Sequence, residues 1–111
     1  YLEDYKNAKE WFLKAVKVDE GGSAENQLGL NFDDEGNQKE AMKWYLASIK
    51  KGNLWAYNNL AEDYIALDDY ENAKKWLEKG LELIKKSSDY SDNLELQKRL
   101  KENLDYIKKA K

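Results

Sequence analysis

The residues of this chain best placed to do chemistry are carboxylates, and their densest run is Asn31-Phe32-Asp33-Asp34-Glu35-Gly36. Oxygen donors at alternate positions with a glycine sixth is how a calcium loop begins, but such a loop needs a bidentate glutamate at its twelfth position. The twelfth residue here is Met42, so the run reads as a helix end and a turn. The remaining carboxylates are numerous but not focused into an acid–base pair. No glycine-rich phosphate loop and no nucleophile-and-base set occurs. Cysteine and histidine are both missing, which removes disulfides, Cys or His metal ligands and any mechanism that needs a thiolate or an imidazole. The reading is therefore non-enzymatic, with no cofactor and no metal.

What is left for recognition is charge and amide groups, and both are placed unevenly. Residues 22–35 hold Glu25, Asp33, Asp34 and Glu35 with no Lys or Arg, and residues 54–69 hold Glu62, Asp63, Asp68 and Asp69, again with none. Since the formal net charge is −3, the rest of the chain is net positive. Helix caps and dipoles account for Asp34, Asp68 and Asp69 at element junctions. They do not account for Glu62 or for Asn26 and Asn58. The negative balance disfavours nucleic acid as a partner. No run approaches the roughly 18 apolar residues of a membrane span, and no membrane insertion is expected. No Asn-x-Ser/Thr acceptor occurs, and a sequence beginning at Tyr1 gives no reading of compartment.

The elements that must position these groups are helices. Proline is absent, 37% of residues are charged, and Ala, Leu, Lys and Glu abound, all of which favour helix. Four Trp, eight Tyr and two Phe demand a packed interior. The chain also repeats itself. Leu2-Glu3-Asp4-Tyr5-Lys6-Asn7-Ala8-Lys9-Glu10-Trp11 returns as Leu67-Asp68-Asp69-Tyr70-Glu71-Asn72-Ala73-Lys74-Lys75-Trp76, with Ala41-Met42-Lys43-Trp44-Tyr45 between them. A second element alternates with the first: Ala24, Leu28, Gly29 and Phe32 reappear as Ala56, Leu60, Ala61 and Tyr64. Both follow helical spacing, so the unit is a helical hairpin. Gly29, Ala61, Ala41 and Ala73 allow close approach of its two helices, while Phe32, Tyr64, Tyr45 and Leu77 fill the gaps. Trp11, Trp44 and Trp76 occupy one hairpin position and read as core. Asn37 with Glu40 forms a capping box, Asp4 and Asp69 read as N-caps, and Gly52 as a left-handed stop. Helices are predicted at about 1–18, 23–34, 37–50, 54–67, 70–86 and 92–110.

Leu28-Gly29-x-x-Phe32 followed by Ala41-x-x-Trp44-Tyr45-x-x-Ser48 resembles a tetratricopeptide repeat. The stretch from Trp44 through Gly52 to Ala61 is similar to the joint between repeats in the Sel-one-like branch of that superfamily. The resemblance covers residues 1 to about 86, without the Gly-x-Gly insertion of Sel-one-like units and without the usual repeat proline. It implies an all-α, right-handed superhelical solenoid of antiparallel hairpins whose first helices line a concave groove for peptides or proteins. By the same resemblance, asparagines on first helices hold an extended peptide's backbone, whereas the lysines that clamp a C-terminal carboxylate are absent from both first helices here.

The expected organisation is a single domain, 1–111. Residues 1–20 are the second helix of a truncated repeat, 22–51 and 54–86 are repeats, and 91–111 form a capping helix with Leu94, Leu100, Leu104 and Ile107 on its apolar face. Without an upstream mate, the first helix would expose Trp11, Phe12 and Ala15, so a fragment of a longer array, able to self-associate through that face, is expected. Asn26, Asp33, Trp55, Asn58, Asn59 and Glu62 are the predicted contacts to a basic or neutral peptide. The alternative is a purely structural spacer with no specific ligand in this segment.

Overall fold

The structure is a computed structural model that describes residue 10, residues 21–86 and residues 94–110. Among the described residues the longer elements are five α-helices: α1 (Ser23–Asp34), α2 (Gln38–Lys50), α3 (Trp55–Ala66), α4 (Tyr70–Lys86) and α5 (Leu94–Ala110). Their limits fall within two residues of those predicted, because the local stop and start signals are strong. Asn37 Oδ1 accepts from the Glu40 backbone N–H at 3.4 Å, and Asp69 Oδ1 from that of Asn72 at 3.3 Å, each satisfying an orphan donor of a first turn. Trp11, Phe12, Ala15, the Asp4 cap and the Asp92 cap lie outside the described residues.

The chain divides into two compact units, Tyr1–Ala56 and Tyr57–Lys111. In the first, α1 packs on α2 with Leu28, Ala41 and Tyr45 fully buried between them. The approach is close because Gly29 has no side chain: a Cβ there would overlap the ring of Tyr45. The Ser48 hydroxyl donates to the backbone oxygen of Gly22, tying the start of α1 to the end of α2.

In the second unit Leu60, Ala61, Ala73, Leu77 and Ile84 form the interior. Gly80 of α4 lies against Tyr57 of α3, where a Cβ would come within 3.1 Å of the Tyr57 Cβ. α5 packs on α4 and buries Leu96, Leu100 and Ile107. Full burial of each leucine contributes roughly 1.5–3 kcal/mol of transfer free energy.

Two expectations are corrected. Trp44 and Trp76 are half-buried rather than core residues. The buried lines of their helices run through Ala41, Tyr45 and Ser48, and through Ala73, Leu77, Gly80 and Ile84, which leaves each tryptophan on the flank. Trp76 meets Tyr57 at a ring-centroid distance of 5.9 Å and carries Lys79 Nζ 5.3 Å above its ring. The second correction concerns Leu94, which is 61% exposed, whereas Leu96 is buried. Leu96, Leu100, Asn103 and Ile107 follow the helical i, i+4, i+7, i+11 stripe, and Leu94 sits two residues out of phase with it.

Candidate functional site

The six residues expected to meet a partner are distributed unequally between surface and interior. In α1, Asn26 is buried, and Asp33 is half-buried with Oδ2 accepting from the Tyr45 hydroxyl at 2.6 Å. Glu25, which contributes to the acidic count of this segment, is also buried. Its Oε1 pairs with Lys51 Nζ at 3.0 Å. Taking a carboxylate out of water is costly unless a cation compensates it, so Glu25 and Lys51 belong to the architecture of the first unit and present no free negative charge. The segment once readable as a calcium loop is the end of α1 and its turn, where the Asn37 N–H bonds to Phe32 O and the Gly36 N–H to Asp33 O. That pair of bonds is the left-handed helix stop.

Trp55 opens α3 and is 39% exposed, its backbone N–H held by Asn53 Oδ1 at 3.0 Å. An aromatic of that size left partly in water is an anchor that a partner could cover. Asn59 is half-buried further along the same helix.

Among the described residues of the second unit, Asn58 and Glu62 form the most developed polar arrangement. Asn58 is fully buried and Glu62 lies one turn on with its side chain 43% exposed. Asn58 Nδ2 donates to Glu62 Oε2 at 3.0 Å. Asn103 of α5 completes the set, its Nδ2 donating to Asn58 Oδ1 at 2.8 Å and to Glu62 Oε2 at 3.1 Å. Arg99, one turn earlier on α5, brings Nη1 to 4.0 Å from the same Glu62 oxygen. A fully buried amide must find partners, and here they come from the chain itself.

Sequence reasoning named Asn58 and Glu62 separately as partner contacts, did not read the bond between them, and missed Asn103 and Arg99. The signal for Asn103 was present: an asparagine on the apolar stripe of α5, between Leu100 and Ile107, has to be answered by a polar group on the element it packs against. Arg99 lies off that stripe and carried no comparable signal.

Chemically the site offers an oriented carboxylate, an amide pair and an adjacent cation. That suits the holding of a complementary polar or basic group. Among the described residues no helix is long and apolar enough to cross a membrane.

Comparison with known proteins agrees with the helical-hairpin architecture. Two family profiles, each described as the tetratricopeptide repeat, match residues 53–93 and residues 1–21. No curated protein matches the chain. Repeats of this family are in general protein-interaction scaffolds and typically non-catalytic. With matches to the same repeat at residues 1–21 and again across α3 and α4, the chain belongs to the tetratricopeptide-repeat family.

Proposed function

We propose that this chain binds a partner protein or peptide, and that the exposed side of α3 prefers a basic or neutral segment. The observation that carries the reading is Glu62: a carboxylate 43% exposed and oriented by two amides, on a helix without Lys or Arg. Glu62 and Asn59 supply polar contacts, and Trp55 an exposed aromatic. Asn58 acts from behind, orienting Glu62, while Asp33 holds Tyr45 within the first unit and Asn26 is buried there. With no lysine on α1 or α3, a free C-terminal carboxylate gains nothing there.

The test is calorimetric titration with peptides that differ only in Lys versus Glu content, each with a free and an amidated C-terminus, at two salt concentrations. The Lys peptide is expected to bind about two- to fivefold more tightly for each exposed charge pair. The difference should shrink as salt rises, and amidation should change nothing. Tighter binding of the acidic, free-carboxylate peptide would point instead to the lysine-bearing second helices.

One observation favours a second reading, a structural spacer with no specific ligand: the Asn58–Asn103–Glu62 network satisfies its buried amide within the chain. Absence of binding by every peptide in the series supports the spacer.

A further inference from the structure

Resting on that reading of α3, we infer that Arg99 is a built-in competitor at Glu62: from within the chain it covers the carboxylate that a partner's cation would take, and so limits affinity for basic ligands. Arg99 is the single arginine of the chain. Its Nη1 stands 4.0 Å from Glu62 Oε2, with the two side chains 52% and 43% exposed. A pair at that distance and exposure is weak and open to exchange with another cation.

The other contacts in the same place are of a different kind. Asn103 bonds to Asn58 at 2.8 Å and to Glu62 at 3.1 Å, while Leu96, Leu100 and Ile107 hold α5 in the interior. α5 therefore stays docked while the Arg99 side chain swings aside, and exchange requires a rotamer change rather than an undocked helix. The amides of Asn58 and Asn103 both donate to Glu62 Oε2, so the incoming group meets a carboxylate already fixed in orientation. Preorganisation of this sort reduces the ordering cost of binding. The ligand that gains is a peptide bearing a lysine or arginine; a neutral one has no cation to exchange for Arg99.

The experiment is calorimetric titration of the Lys peptide and its Glu counterpart into the wild-type chain, Arg99→Gln, Lys98→Gln and Glu62→Gln, and into the double variant Arg99→Gln/Glu62→Gln. Thermal melts establish that each variant folds. Arg99→Gln is expected to bind the Lys peptide about two- to fivefold more tightly than wild type, the range of an exposed ion pair. Lys98→Gln removes the same charge from an exposed neighbour on α5 and should produce a distinctly smaller change. In the Glu62→Gln background the Arg99 substitution should have no effect. If Arg99→Gln matches wild type or Lys98→Gln, or keeps its effect without Glu62, the competitor role is overturned while the binding reading stands. If no variant binds either peptide, both fall together.

Discussion

At the scale of single residues, the two repeats solve one packing problem in two ways. Thirty-two positions separate Gly29 from Ala61, Asp33 from Ile65 and Tyr45 from Leu77. In the first unit the large Tyr45 ring needs a glycine opposite, and its hydroxyl needs Asp33. The later positions carry a smaller Leu77, an alanine and an isoleucine, so bulk and polarity change together. Gly29→Ala should therefore cost about 1–3 kcal/mol through overpacking against Tyr45, with part returned by alanine's better helix propensity. Adding Tyr45→Leu removes the clash but also the hydroxyl that donates to Asp33. The triple variant with Asp33→Ile reproduces the set found at Ala61, Ile65 and Leu77 and should recover most of the loss. Denaturant titration of the single, double and triple variants measures the coupling. A triple variant no more stable than Gly29→Ala would mean that the two sets are not interchangeable.

At the scale of elements, the starts of α2 and α4 and the end of α1 were legible in the sequence because each is written in a cap or a stop. The stop after α1 and the stop after α3 are the same structure. The Asp69 N–H bonds to Tyr64 O and the Asp68 N–H to Ile65 O, as Asn37 and Gly36 do to Phe32 and Asp33. Gly36 has φ 85° and Asp68 has φ 61°, and only glycine enters that region without a Cβ penalty. Asp68→Gly is accordingly expected to stabilise the chain by about 0.5–1 kcal/mol, even though it removes the exposed Tyr70–Asp68 hydrogen bond. Gly36→Ala should cost about as much, and paired thermal melts compare the two. Which face each helix buries was less legible. Small residues alternate with Tyr45, Leu77 and Ile84 along the buried lines of α2 and α4, so the largest side chain, tryptophan, was a poor guide to register. The candidate site was half legible for a related reason. Asn58 and Glu62 share a helix and a spacing that can be read locally, whereas Asn103 stands out on the apolar stripe of α5 but meets its partners only through packing, and no local pattern names those partners.

At the scale of the whole molecule, the protonation of tyrosine links the interior to solution pH. Burial raises Tyr57 above the ordinary tyrosine value of 10.0. Tyr70 is raised as well, by desolvation first and then by its neighbours Tyr106 and Asp68, its ring meeting that of Tyr106 at 6.3 Å. Both shifts have one sign. Once the pH passes 10.0 the unfolded chain loses these protons while the folded chain keeps them, so the unfolded state binds fewer protons and stability must fall as pH rises. Below 10.0 both states are neutral at these groups and the contribution is fully present. It is lost between 10.0 and the higher values of the folded state. Tyr57→Phe isolates the buried hydroxyl. Its stability should decline less steeply than that of wild type above pH 10, with the two parallel at lower pH, when urea midpoints are measured from pH 8 to 11. Equal slopes throughout would show that Tyr57 ionises as readily in the folded chain as in the unfolded one, and that its place against Trp76 does not exclude water.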